Sequence, residues 1–286
     1  MGGVKSFDAR RRPRARPGAA TAPGRRAIRG ILAFAVIGIQ FLVTDLLMRI
    51  LVTPLVRLLP RRRVAILSFW QQWVMLRPFL GIARGVGGAR LDVEPRLPCE
   101  PGLLVVSNHQ SLLDIPMLSA VFPRGYPLMI ARERYGRGIP LISYAIRLYG
   151  HLTVRPGSGD PRQLAVLREA GRTADRPVVI FPEGHRTRDG EMRPWKSGGL
   201  AALLRTRRWR VHAVVIDGLW QALSVAEFIR EIPSVRARVV EAGTYDFDPV
   251  ADDVDTFVTQ LRERMCDTLH ALRGADAGAT GSARRG

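Results

Sequence analysis

Cysteine and lysine are nearly missing from this chain. Only Cys99 and Cys266 occur in 286 residues, with neither a Cys-x-x-Cys pair nor a zinc-ligand spacing. That excludes a disulfide framework and a cysteine-bound structural zinc. Cys266 falls in an apparent amphipathic helix as a core thiol, and the usage suits a reducing compartment. Several catalytic signatures are also absent: no Gly-x-Ser-x-Gly elbow, no Walker A loop, no His-Glu-x-x-His. Gly85-Val-Gly87-Gly88 lacks the third glycine of a dinucleotide site. Negative charge is short as well, with 25 acidic against 44 basic residues and a net charge of +19.

What is present is unevenly placed. Residues 1–63 hold 14 of the basic residues against only Asp8 and Asp45. Such an excess points to nucleic acid or to an anionic membrane surface. The basic run is poor in aromatics, is broken by Pro and Gly, and leads straight into an apolar stretch. No nucleic acid is expected as a partner; an anionic membrane surface is. Residues 1–29 read as a disordered basic tail, too long for a signal-peptide n-region.

Gly30–Met48 is the most hydrophobic stretch, 19 residues between Arg29 and Arg49. As a helix it reaches about 28 Å, just enough for a bilayer core. Asp45 inside it costs up to roughly 2.5–3.5 kcal/mol at mid-bilayer, and less near the end where it sits. The apolar segment Ile50–Leu59 is too short to span and is followed by Arg61-Arg62-Arg63. Arginines at both ends ask for both ends to be cytoplasmic. The expectation is a helix–turn–helix dip into one leaflet or an in-plane anchor over 30–85. A single span and a buried core helix are the alternatives. Phe69, Trp70, Trp73 and Phe79 suit an interface belt or plain core packing.

From Leu91 the pattern changes. Short β-rich runs at 103–107, 127–131, 151–155, 177–181, 211–216 and 235–240 alternate with helical stretches at 111–121, 137–149, 161–174 and 197–207. Alternation of this kind predicts an α/β fold: a mixed, mostly parallel sheet flanked by helices, with an N-terminal helical membrane anchor. Asp160-Pro161 is a helix start. Pro249–Leu272 reads as a closing amphipathic helix, the domain runs over 86–273, and 274–286 reads as a disordered tail.

Chemistry is written at three strand ends. The apolar run Leu103–Val106 ends in Ser107-Asn108-His109, and Asp114 follows the histidine by five positions. A strand would deliver His109 to the carboxyl edge of the sheet, where open α/β sheets bind ligands. A carboxylate on its second ring nitrogen would make it a general base. Chance can supply such a pair. Val178–Phe181 breaks at Pro182 and presents Glu183, Gly184 and Arg186 on a tight loop, the arginine suited to bidentate phosphate recognition. His151–Arg155 is a strand ending in a second arginine, and Lys196 near a helix start adds positive potential.

Taken in order, Asn-His-x4-Asp, a glycine-initiated strand ending in Arg, and Phe-Pro-Glu-Gly-x-Arg resemble the glycerolipid acyltransferases, and among them the 1-acyl-glycerol-3-phosphate acyltransferases. The similarity runs from Leu91 to Gly218 and includes Ala131-Arg132, Ile139–Gly150 and Arg188-Asp189-Gly190. The resemblance implies an acyl-CoA or acyl-carrier-protein donor, a lysolipid acceptor in the membrane, no cofactor, and a catalytic domain on the cytoplasmic side of the cell membrane. It implies His109 as base with Asp114 fixing its tautomer, and Glu183, Gly184 and Arg186 on the glycerol phosphate. Arg155 would be a second phosphate clamp, with Lys196 nearby. Three positions depart from the family pattern. Gly150 precedes Arg155 by five residues rather than six, with Val154 in place of an acidic residue. His185 stands where Thr is usual, and Ala213 where Pro is common. Glycerol 3-phosphate, a lyso-aminolipid, a lysophospholipid or a lipid-linked glycan remain open as acceptors, and a catalytically silent homologue as the other class. His212 reads as a strand-surface residue.

Overall fold

The protein is described here from a computed structural model covering residues 23–155, 160–222 and 224–282. Of the expected tails at 1–29 and 274–286, residues 1–22 and 283–286 lie outside the described residues. Seven strands form one sheet in the order β1-β7-β6-β2-β5-β3-β4. They are β1 (Arg90–Val93), β2 (Leu103–Ser107), β3 (Leu128–Arg132), β4 (Leu152–Val154), β5 (Val178–Ile180), β6 (Trp209–Asp217) and β7 (Arg236–Phe247). Strands β2 to β6 run parallel, β7 is antiparallel to β6, and β1 is parallel to β7. The mixed, mostly parallel sheet is as expected. β2 is central and every residue in it is buried, which is why it reads as an unbroken apolar run.

Helices cover both faces. On one lie α1 (Pro23–Leu47), α4 (Arg77–Gly85) and α5 (Asp114–Ala120), where Ala33, Ile37, Phe79, Leu80 and Met117 pack against Val105, Val214 and Ile216. On the other, α7 (Pro161–Thr173), α8 (Ser197–Leu204) and α10 (Val254–Ser282) pack Leu167, Leu200, Leu261 and Met265 against Leu104, Val106 and Val215. The Asp160 side chain accepts the Arg162 amide ahead of Pro161, as the sequence predicts. Two elements were not anticipated. β1 is four residues long and alternates charge with apolar side chains. α9 (Val225–Glu231) is held by a capping box of Ser224 and Glu227 rather than by an apolar stripe.

The N-terminal region forms a helix–turn–helix. α1 continues past Arg49 through a π-helical turn, Met48–Val52, into α2 (Thr53–Leu58). The reason is local neutralisation. Asp45 accepts two hydrogen bonds from Arg49 one turn on, at 3.0 and 3.1 Å, and the guanidinium lies 4.2 Å from the centre of the Tyr144 ring. The chain reverses only at Leu59–Arg62, entering α3 (Arg63–Phe69), a second π-helical turn (Trp70–Leu76) and α4. α1 also starts before residue 30, where Arg29 donates to the carbonyls of Gly85 and Val86. α10 likewise runs on past residue 273 to Ser282.

The α1–α2 helix is long and apolar enough to cross a membrane by length and composition. It nevertheless lies along the domain. Gly30 meets the Ile229 backbone, Gln40 bonds the carbonyls of Val74 and Met75, and Met48 and Val52 join a core with Leu141 and Tyr149, which flank α6 (Ile142–Leu148). Its outer side exposes Ile31, Leu42, Leu46, Ile50, Leu55 and Leu58; Phe69 and Trp73 are exposed too, while Trp70 and Phe79 are buried. Four expected belt aromatics thus divide evenly between surface and core.

Candidate active site

The carboxyl ends of β2, β3, β5 and β6 converge on one edge. Asn108 continues the β2–β6 ladder with its side chain: Nδ2 donates to Ile216 O and Oδ1 accepts from Ile216 N, both at 2.8 Å. The next residue, His109, is therefore placed by a side-chain amide acting as a peptide group. Its Nδ1 lies 2.7 Å from Asp114 Oδ2. That same oxygen accepts the backbone N–H groups of Gln110 (2.6 Å) and Ser111 (2.8 Å). Asp114 is wholly buried, and its Oδ2 is held by the His109 ring and two peptide N–H groups. With Nδ1 committed, the His109 ring carries its proton there and offers Nε2, which has no hydrogen-bond partner among the described residues. Phe181 stacks against the ring at 4.3 Å and limits its rotation.

Glu183 was expected on the substrate, and the structure places it behind the base instead. It is 2% exposed, and its Oε1 and Oε2 accept the backbone N–H groups of His109 (2.8 Å) and Arg193 (2.9 Å). Burial raises its pKa to about 7 against the pull of those two donors. A carboxylate committed to two peptide groups is a brace between the β2 and β5 loops. The Thr187 amide completes the join by donating to His109 O at 2.9 Å.

Cations gather at the Gly184 loop, and Arg132 is among them. Gly184, at φ +64°, takes the left-handed conformation that glycine favours, and its carbonyl accepts from Arg132 Nη2 at 2.7 Å. Lys196 packs its side chain over Gly184 and donates its amide to Pro182 O at the start of α8. Burial first, then the charges of Arg134 and Arg186, hold Arg132 below the ordinary arginine value. Burial and then Arg132, Lys196, Arg193 and Arg134 lower the His185 pKa. Those effects group Arg132, Arg193 and Lys196 near His185, with Arg186 near Arg132, as a cluster of positive charge.

Among the described residues, Arg155 does not join that cluster. It follows β4, the edge strand, and its guanidinium pairs with Glu133 on the surface. Three strand spacings of about 4.8 Å put β4 roughly 14 Å from β2. Arg132, at the end of β3, stands one strand closer and is the arginine that reaches the Gly184 loop. Sequence reasoning counted Ala131-Arg132 in the family likeness but gave the arginine no role, because it simply ends an apolar strand. Residues 156–159, just beyond Arg155, lie outside the described residues. His212, expected on the strand surface, is buried with Nδ1 2.6 Å from Glu241 Oε1. Among the described residues no three His, Cys, Asp or Glu side chains converge as metal ligands.

Fold and site define the class: an α/β transferase whose sheet edge carries a histidine–carboxylate pair beside a cluster of cations. A family model described as Acyltransferase matches residues 90–217, the stretch that builds this edge. The chain belongs to that acyltransferase family. Curated relatives include the 1-acyl-sn-glycerol-3-phosphate acyltransferase of Helicobacter pylori, 37% identical over 166 residues, covering 57% of this chain and 66% of that protein. The Saccharomyces cerevisiae protein of the same name is 24% identical over 210 residues, covering 70% and 67%. The lyso-ornithine lipid O-acyltransferase of Pseudomonas aeruginosa is 32% identical over 112 residues, covering 39% and 42%. The chain thus spans about two thirds of the first two relatives and under half of the third. A crystal structure of the 1-acyl-sn-glycerophosphate acyltransferase PlsC from Thermotoga maritima shares the fold, with a TM-score of 0.56 at 20% identity over 87% of this chain and 98% of that one.

Proposed function

We propose that this protein transfers an acyl chain from a thioester, acyl-CoA or acyl-carrier protein, to the sn-2 hydroxyl of 1-acyl-glycerol 3-phosphate, giving phosphatidic acid. The observation that carries the reading is the His109–Asp114 pair with Nε2 left open, set beside the cations of the Gly184 loop. His109 Nε2 takes the proton of the acceptor hydroxyl as its oxygen attacks the thioester carbonyl. The tetrahedral adduct collapses with cleavage of the C–S bond, and the departing thiolate takes the proton back from the imidazolium. Asp114 holds the tautomer and stabilises the cation. No acyl-enzyme intermediate is needed.

The acceptor's phosphate sits on the carbon next to the reacting one, so its counter-charge must lie close to the base. Arg132, Arg186 and Lys196 meet that need, Gly184 lets the head group approach the backbone, and Glu183 holds the loop rather than the lipid. Arg155 acts at the outer rim. The lysolipid lies in the membrane, against which the exposed apolar side of α1 and α2 rests with the domain on the cytoplasmic side of the cell membrane.

The test is direct. Purified protein is given labelled acyl-CoA or acyl-carrier protein and a panel of lysophosphatidate, glycerol 3-phosphate, lysophospholipids and lyso-ornithine lipid. Lysophosphatidate should be acylated best, with His109→Ala lowering the rate about 10²–10⁴-fold. Arg132→Ala should raise the acceptor KM and Arg155→Ala should not. Failure to acylate any lysolipid, or full activity in His109→Ala, overturns the assignment. Preference for an acceptor without a phosphate moves it to another member of the panel.

A further inference from the structure

α10 packs on the far face of the sheet, yet one of its side chains returns to the catalytic edge. Arg273 makes four hydrogen bonds there. Nε and Nη2 fork onto Asp217 Oδ2 (3.1 Å) and Oδ1 (2.9 Å), Nη2 also reaches Gly190 O (2.7 Å), and Nη1 meets Glu191 Oε1 (2.6 Å). Gly190, at φ +88°, comes so close that a Cβ would fall 2.8 Å from Arg273 Nη2 and 2.9 Å from the Trp220 ring. Asp217 and Gly190 are also the two groups that Gln110 Nε2 meets, at 3.2 and 3.5 Å, while Gln110 Oε1 accepts Leu219 N at 2.9 Å. Gln110 is wholly buried, follows His109 in sequence, and its own amide is one of the donors on Asp114 Oδ2.

We infer that Arg273 is a positioning residue for the acyl transfer, a latch by which the C-terminal helix sets the carboxylate behind the base. The inference rests on the reading of His109 as general base. A bidentate guanidinium–carboxylate fork fixes direction as well as distance. Asp217 so fixed, together with Gly190, sets the amide of Gln110, and Gln110 sets its peptide N–H on Asp114. Without the guanidinium, Asp217 is a half-buried carboxylate facing the Gly190 carbonyl, and the turn that holds Gln110 relaxes. Asp114 then loses part of one donor. A carboxylate with fewer donors attracts the imidazolium more strongly, so His109 titrates at a higher pH. The charged groups packed on the dyad and its turn are Asp114, Glu183, Asp217 and Arg273 itself. The cations of the Gly184 loop do not touch the latch, so acceptor binding is left as it was.

The test uses the full chain carrying Arg273→Met, Arg273→Lys or Asp217→Asn. Expected for Arg273→Met is a fall in kcat of about tenfold from a small misplacement of the base. KM should stay within about twofold of its original value. The His109 imidazole titration, followed by NMR of histidine-labelled protein, should move upward. Arg273→Lys, with the charge but not the fork, should fall between, and the Arg273→Met/Asp217→Asn double variant should be no worse than the weaker single. Unchanged kcat and titration in folded Arg273→Met, or a raised KM at constant kcat, overturns the latch. If Arg273→Met does not fold, Arg273→Lys decides: an intermediate kcat and titration support it, and unchanged values overturn it. Should the unaltered protein acylate no lysolipid, the assigned activity fails while the NMR titration still decides whether Arg273 sets His109.

Discussion

Glu183 carries a charge that the fold would rather not keep. Its pKa is raised to about 7 by burial, from an ordinary value of 4.5, so the folded chain holds this proton more tightly than the unfolded one. The resulting stability is fully present below about pH 4.5 and is lost as pH rises through 7. Relative to Glu183→Gln, the unaltered protein should lose up to about 3 kcal/mol across that window. Urea unfolding of both proteins at pH 5 and pH 8 checks this, and parallel pH profiles would sink it. The residues legible in the sequence at this scale were those whose partners are near neighbours. His109 and Asp114 are five positions apart on one turn, so a strand, a turn and a carboxylate suffice to pair them. Arg132, Asp217 and Glu183 take their roles from strand order, and no local spacing encodes that β3 lies beside β5 or that Glu183 folds back under His109.

Helix packing depends on a few close approaches. At Gly30, α1 comes so near α9 that an added Cβ would lie 1.7 Å from the Ile229 carbonyl oxygen, a contact that only movement of one helix can relieve. Gly30→Val should therefore separate the two helices and lower Tm by several degrees, equivalent to about 1–3 kcal/mol. Thermal unfolding measures it, and a Tm equal to that of the unaltered protein would show that α1 is not seated there. Element existence was readable where an element is long or continuously apolar, as for β2, α7 and α10. β1 and α9 were not, being short and held by register or by a cap. The continuity of the helix through Arg49 was not legible for a different reason. The side chain that looks like a stop is neutralised by Asp45 and laid on Tyr144, a residue 95 positions away in sequence.

For the whole molecule, α1 and α2 expose a set of apolar side chains, Phe69 and Trp73 are exposed as well, and so are Leu112 and Ile115 beside the dyad. Removing residues 1–63 would take Ala33, Ile37, Met48 and Val52 out of the core, so loss of binding in such a truncation would say little. Replacing the exposed Leu42, Leu46 and Leu55 by Asp leaves the buried side intact. That triple variant should lose sedimentation with anionic vesicles while keeping its fold by circular dichroism. Undiminished sedimentation would place the membrane contact elsewhere. The sequence foretold an apolar, arginine-flanked anchor; which side of it faces the domain came only from the packing. One further property follows from Glu183. What it grips at residue 193 is a peptide N–H, and every residue type except proline carries one. The side chain at 193 is thus free to change by mutation, reshaping the charge around the head group, while the loop and the base behind it stay in place. Substrate range and catalytic power can diverge independently in descendants of this chain.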